Sequence, residues 1–162
     1  QQNLPRVLSD PEDLKARGAM LKAAAFAGAA IEHSMLGAAH AAANPLTARC
    51  GISHGHAVGL MLPHVVRFNA LESEIGEIYA DLARRGGVCS ADTADSEAIE
   101  LLIARLDSVL QATGLPSRLE DLGVDGSSHE ALAEEAVVQW TAQFNPRPVA
   151  VADFQTLLGM AS

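Results

Sequence analysis

The chain has 162 residues, of which 49% are hydrophobic, 19% charged and 4% aromatic, and it contains 30 alanines and 20 leucines. This length suits one domain with a sizeable core, and the composition excludes a disordered chain. Ala and Leu favour helices, whereas Thr and the aromatic residues that favour strands are sparse. We therefore predict an all-α helical bundle that folds as a single domain over residues 1–162.

The net charge of −9, with only two lysines, excludes nucleic acids and anionic membrane surfaces as partners. No apolar run approaches the ~20 residues of a membrane-spanning helix, and the first ten residues lack the pattern of a signal peptide. Cys50 and Cys89 could form one disulfide or stay as thiols. We expect a cytoplasmic protein with reduced cysteines.

The first predicted helix is long and apolar. Ser9, Asp10 and Pro11 form a helix-start pattern, and apolar residues then continue to about Ala43. A helix that is apolar on all sides is buried, so this segment is predicted to be the central helix. Asn44 precedes a proline, which disfavours the helical conformation, so the helix is predicted to end there and a loop to span 46–51.

The remaining pattern is also helical. Start signals, apolar spacing and Gly or Pro stop signals predict helices over 54–69 (with a kink at Pro63), 71–84, 93–113, 127–144 and 152–160. A loop is predicted over 86–92, a single turn over 118–122 and an extended segment over 145–148.

Five of the six histidines fall within 32 residues, and imidazole is both the commonest metal ligand and the usual proton carrier near neutral pH. A chain reversal after the first helix would let His40 and His54 converge on one ion. No Asp or Glu lies between His33 and Leu71, although transition metals take three or four ligands, often including a carboxylate. The pair is therefore half of a site, and the other ligands must come from elsewhere.

The other histidines have simpler interpretations. His33 is favoured as a core or interface residue over a ligand. His54 and His56 are two residues apart and cannot face one site from a regular helix, so one of them should be exposed in the first turn. His64 is as readily a packing residue as a functional one. His129 lies in a capping pattern and should face solvent.

The segment from His40 to Asn69 resembles the second signature of the iron-containing alcohol dehydrogenases, members of the dehydroquinate synthase-like superfamily. It reads HAAANPLTARCGISHGHAVGLMLPHVVRFN. Asn3–Pro5 with Asp13–Arg17 resembles the stretch before that signature, and Asn145–Pro148 resembles the family's C-terminal stretch. The resemblance covers essentially the whole chain.

In that family a Rossmann-like N-terminal domain binds NAD(P), and a C-terminal helical domain holds a divalent metal, usually iron, through one Asp and three His. The resemblance implies that His40 and His54 are the last two of these ligands, with Fe²⁺ as the expected ion and Zn²⁺ as the alternative. The nucleotide-binding domain and the first two ligands would lie upstream of Gln1. The chain would thus be the C-terminal portion of a larger architecture.

Asn44 departs from the family's pattern. Many members carry a second His four residues after the first signature ligand, close to the nicotinamide and the substrate. Asn44 stands at that position here and is a substrate- or cofactor-proximal candidate, but an amide cannot act as an acid or base near pH 7. The alternative is that Asn44 only ends a helix before Pro45.

Three functions follow as expectations. The resemblance implies the metal-binding domain of an NAD(P)-dependent alcohol dehydrogenase for a small alcohol or aldehyde, inactive as this chain alone. The alternative is a truncated, non-catalytic helical module that forms a homo-oligomer, such as a dimer, through bared apolar surface over 33–62. A third is a recruited metal site, with His40 and His54 joined by His33, His56 or a second chain. The sequence has no GxGxxG or P-loop motif, and no motif marks Cys50 as a nucleophile.

Overall fold

A computed structural model describes residues 3–162, which form eight α-helices and no strand. The helices are α1 (Leu4–Ser9), α2 (Leu14–Ser34), α3 (Ala38–Cys50), α4 (His54–Asn69), α5 (Ser73–Arg85), α6 (Asp95–Ala112), α7 (His129–Val137) and α8 (Val151–Met160). Short 3₁₀ turns cover Glu120–Leu122, Gly126–Ser128 and Trp140–Phe144. The predicted all-α class is confirmed. No helix in this part of the chain is long and apolar enough to cross a membrane.

The main hydrophobic core lies where α3 and α4 pack against α7 and α8. The alanines of α3 are small, so neighbouring helices approach its backbone closely, and large side chains from all four helices fill the space. The fully buried residues include Leu46, Leu60, Met61, Leu132, Phe154, Leu157 and Leu158. This packing fixes α3, which carries His40, between α4 and α7.

A second, smaller core joins α5 and α6 to one side of α4. The predicted apolar spacing of the sixth helix is seen, with Leu102 and Ile103 buried and Leu106 half-buried. Val66 contributes from α4. Because α4 belongs to both cores, the helix is held by packing on two sides, and His54 lies at its first residue.

The predicted central helix is in fact two helices. α2 ends at Ser34, Met35 has a left-handed φ of 63°, and α3 begins at Ala38. A Cβ on Gly37 would lie 2.9 Å from the side-chain oxygen of Asn145, so the break depends on a glycine that admits a distant residue. Gly28 and Gly37 each permit a break in the sequence, but the apolar periodicity continues across Gly37, so one continuous helix was predicted.

The prediction that this segment is buried is wrong for α2. Within residues 3–162, α1 is its main neighbour, and Leu14, Leu21 and Phe26 are 77%, 75% and 65% exposed. Ala16 is the buried residue of this helix. An apolar pattern indicates that a helix packs against another surface, but it does not indicate whether that surface lies within residues 3–162.

The predicted helix end at Asn44 is also wrong. α3 continues through Pro45 to Cys50 and is capped by Gly51, which has a left-handed φ of 69° and donates its N–H to the Thr47 carbonyl. Pro45 and Leu46 are buried in the core. Their burial outweighs the local cost of a proline inside a helix.

The helix predicted over 127–144 stops early, because α7 ends at Val137 and a 3₁₀ turn follows over Trp140–Phe144. This change of direction buries Thr141 and Ala142 against α3. It also brings Asn145 to the start of α3.

Candidate metal centre

His40 and His54 converge in the structure. His40 lies in the first turn of α3 and His54 is the first residue of α4, and the centroids of the two rings are 5.4 Å apart with an angle of 53° between their planes. The sequence placed His40 in the last turn of the preceding helix, which is wrong, but the two side chains meet because α3 packs against α4.

The surroundings of His40 favour its neutral form. Its ring is half-buried, and burial lowers its pKa below the usual value, with a further lowering from His54. Neutral imidazole is the form that binds metal ions. Within residues 3–162, no third His, Cys, Asp or Glu joins this pair to make a group that could hold a metal. The pair therefore offers two nitrogen donors.

His33 and His56 have other roles in this part of the chain. His33 is exposed on α2 and its Nδ1 lies 2.8 Å from the carbonyl oxygen of Ala29 in its own helix. The core half of the core-or-interface prediction is therefore wrong, and the interface half stays a prediction. His56 is buried, and its Nε2 lies 2.7 Å from the Pro116 carbonyl oxygen. His54 is then the exposed member of the 54/56 pair, as the spacing predicted for one of them.

His64 and His129 lie away from the pair. His129 is half-buried rather than solvent-facing, and its Nε2 is 3.1 Å from the Ser162 hydroxyl. His64 is half-buried beside a cavity of about 270 Å³ that Asp107 and Arg118 also line. Among residues 3–162, its buried Nδ1 has no hydrogen-bond partner.

His64 should make the stability of the fold depend on pH. Burial lowers its pKa, an effect that Asp107 partly opposes and Arg67 reinforces. The unfolded chain binds this proton more readily, so the stabilisation is complete above about pH 6.5 and is lost as pH falls toward the lowered pKa. We expect the free energy of unfolding to fall less between about pH 7.5 and pH 5.5 in His64→Leu than in the wild type. Equal falls in urea titrations of both proteins would contradict this expectation.

Asn44 occupies the same face of α3 as His40, one turn later. Its Nδ2 donates to Oε1 of Gln139 at 2.9 Å, and Nε2 of Gln139 donates to the Glu135 carbonyl at 3.2 Å. Because α3 continues beyond Asn44, the interpretation that this residue only ends a helix is wrong.

Asn145 fixes the start of α3, next to His40. Its Oδ1 accepts from the backbone N–H of Ala38 at 3.1 Å and from Nδ2 of Asn69 at 3.3 Å. Its own Nδ2 is 2.7 Å from both Oδ1 of Asn69 and the Arg147 carbonyl. These contacts give Asn145 and Gln139 positioning roles that the sequence did not reveal, since neither residue lies near the histidines in the chain.

Comparisons with known proteins match most or all of this chain. The model of the Fe-containing alcohol dehydrogenase family, C-terminal, matches residues 1–162. The 1-propanol dehydrogenase PduQ of Salmonella typhimurium is 34% identical over 161 residues, covering 97% of this chain and 44% of that protein. The 1,3-propanediol dehydrogenase of Citrobacter freundii is 34% identical over 145 residues, covering 90% and 37%.

Solved structures of alcohol dehydrogenases have the same fold as this chain. A 1,3-propanediol oxidoreductase superposes with a TM-score of 0.93 at 30% identity, over 99% of this chain and 42% of its own. An alcohol dehydrogenase from Oenococcus oeni superposes with a TM-score of 0.92 at 27% identity. The chain spans less than half the length of these relatives. The family model nevertheless matches the whole chain, so the chain belongs to the iron-containing alcohol dehydrogenase family and corresponds to its C-terminal helical part.

Proposed function

We propose that this chain supplies two ligands, His40 and His54, to the divalent metal of a cytoplasmic NAD(P)-dependent alcohol dehydrogenase. The observation that carries the proposal is the 5.4 Å separation of the two ring centroids. Two imidazoles from packed helices, one of them kept neutral by burial, form a donor set that suits Fe²⁺ or Zn²⁺.

When bound, the metal would act as a Lewis acid toward an alcohol or carbonyl oxygen, and NAD(P) would carry the hydride. The residues of this chain would hold the metal and orient its ligands. His40 and His54 present ring nitrogens, and Asn145 fixes the first turn of α3 from which His40 projects. Asn44 can form hydrogen bonds but cannot act as an acid or base near pH 7. The proton of the alcohol hydroxyl would therefore leave through another group or through water.

The relatives support a small alcohol or aldehyde as the substrate. Their names specify 1-propanol and 1,3-propanediol as substrates of those proteins. We propose a substrate of similar size here. This chain alone should not turn it over, because its described residues bring together two metal donors and the sequence carries no nucleotide-binding motif.

The apolar surface expected over 33–62 is wrong, because most of that segment is buried in the main core. The exposed apolar residues of α2 instead favour the second candidate, a non-catalytic helical module that associates as a homodimer. Light scattering on the purified chain separates the two candidates in part. A monomer mass would count against the dimer, and a dimer without bound metal would favour the module over the enzyme domain.

Metal binding and turnover test the proposed function together. We expect equilibrium dialysis of the 162-residue chain against Fe²⁺ under anaerobic conditions, or against Zn²⁺, to give about one ion per chain. We expect no oxidation of 1-propanol with NAD⁺ or NADP⁺ by the same sample. Absence of bound metal, or turnover by this chain alone, would contradict the proposal.

A further inference from the structure

The outer face of α5 carries two large apolar side chains that contact solvent. Ile78 and Leu82 are 66% and 55% exposed, and because they lie four residues apart they are neighbours on one face of the helix. Glu74 precedes Ile78 by four residues, and Arg85 follows Leu82 by three, so both charges lie on that same face. Along α5 this face therefore presents an acid, two apolar side chains and a base.

The opposite face of α5 already has its partner within the chain. Gly76, Ala80 and Ala83 are buried, and α5 packs against α6 in the smaller core. α5 is thus a surface helix with one buried side, unlike α2, which is exposed over most of its length. Single exposed apolar residues are common on protein surfaces. Ile78 and Leu82 differ from these because they lie together between two opposite charges.

The charges at the two ends of this face keep groups that can bind a further partner. Within residues 3–162, the Glu74 carboxylate has no hydrogen bond and no ion pair. The Arg85 side chain is 80% exposed and donates from Nε to Asp81 at 2.9 Å, while its two terminal nitrogens have no partner in that part of the chain. A guanidinium has five N–H donors, so Arg85 can bind a second carboxylate without leaving Asp81.

We propose that two copies of this chain pair through α5, with the two helices antiparallel. In this arrangement Ile78 of each copy packs against Leu82 of the other, and Glu74 of each copy lies opposite Arg85 of the other. A parallel pair would place like charges together, which is unfavourable. The outer face of α5 is therefore complementary to itself in the antiparallel orientation, and a two-fold contact of this kind selects a second copy of the chain as the partner.

The contact is small, so the association should be weak. One helix pair buries less than the ~800 Å² per partner of a stable interface, and the net charge of −9 on each copy adds a repulsion that salt only partly screens. We expect a dissociation constant on the order of 100 µM in about 0.15 M NaCl. The pairing uses neither α2 nor the histidine pair, so it stands or falls independently of metal binding.

Sedimentation equilibrium of the purified chain tests the pairing. Between about 10 µM and 1 mM the mean mass should rise from the monomer toward twice that value, and a monomer mass throughout would overturn the inference. Ile78→Gln or Leu82→Gln should weaken association at least about tenfold. Phe26→Gln, which removes an exposed ring from α2, is the matched control and should change nothing. A loss in Phe26→Gln with none in Ile78→Gln would assign the association to α2 and overturn the inference.

Exchange of the two charges tests the antiparallel orientation. Glu74→Arg and Arg85→Glu each bring like charges together at both ends of the pair, so each variant alone should associate about three- to tenfold more weakly than the wild type. An equimolar mixture of the two variants restores opposite charges at both ends and should associate at least as strongly as the wild type. Mixing cannot repair a folding defect, and circular dichroism checks each variant for its helical content. A mixture that associates as weakly as the separate variants would overturn the inference.

Discussion

Replacing Asn145 with alanine should lower the free energy of unfolding by about 3–5 kcal/mol, because the change strands several buried polar groups at once. Its side chain forms hydrogen bonds with the N–H of Ala38, with Nδ2 and Oδ1 of Asn69 and with the carbonyl of Arg147. Each buried group left without a partner costs about 1–3 kcal/mol. For a chain of this size the loss corresponds to a melting temperature lower by about 10 °C.

Urea denaturation of Asn145→Ala and of the matched control Gln143→Ala checks this expectation. Gln143 lies two residues earlier but is exposed, so its substitution should change stability by less than about 0.5 kcal/mol. A loss below about 1 kcal/mol in Asn145→Ala would show that water or a neighbouring side chain replaces the missing amide. Gly37→Ala should act on the same contact, since its Cβ would meet the oxygen of Asn145 at 2.9 Å.

Removing either histidine of the pair should weaken metal binding at least about tenfold. A site with two imidazole donors from one chain loses half of those donors in His40→Ala or in His54→Ala. Even residues that only support metal ligands cost about 10–100-fold in affinity when they are replaced. We therefore expect each variant to bind Zn²⁺ at least about tenfold more weakly than the wild type in isothermal titration calorimetry.

His33→Ala is the matched control for these two variants. It removes the same side chain from an exposed position whose ring contacts its own helix, so its Zn²⁺ affinity should equal that of the wild type. An equal loss in His33→Ala would support the recruited site, in which His33 joins the pair. Circular dichroism shows whether each variant keeps its helical content, so that a folding defect is not mistaken for a lost ligand.

The parts of the site that lie close together in the chain could be predicted from the sequence. The density of histidines between His33 and His64, together with the resemblance to a known signature, singled out His40 and His54, and the structure places their rings 5.4 Å apart. The all-α class followed from the alanine and leucine content, because these residues favour helices wherever they are placed.

The parts that depend on distant residues could not be predicted. The break between α2 and α3 depends on the approach of Asn145 to Gly37. The spacing of apolar residues within one segment gives no information about such a distant contact. The continuation of α3 through Pro45 depends on the burial of Pro45 and Leu46 in the core, which outweighs the local preference. Gln139 was missed because its role comes from a single hydrogen bond to Asn44 across the fold.

The exposure of α2 could not be predicted for a different reason. Its residues carry the pattern of a buried helix, and that pattern predicts a partner surface. Leu14, Leu21 and Phe26 remain open to solvent in residues 3–162. The prediction that this helix is buried is therefore wrong within these residues, because no pattern in one helix identifies what covers it.

Anomalous scattering from crystals grown with Zn²⁺ tests the central claim, that His40 and His54 hold one metal ion, most directly. Data collected on both sides of the zinc absorption edge locate the ion without reference to activity. We predict a single strong peak about 2.0–2.1 Å from one ring nitrogen of His40 and one of His54. A Zn²⁺ peak bound elsewhere, for instance at His33 or His129, with none between His40 and His54, would contradict the claim.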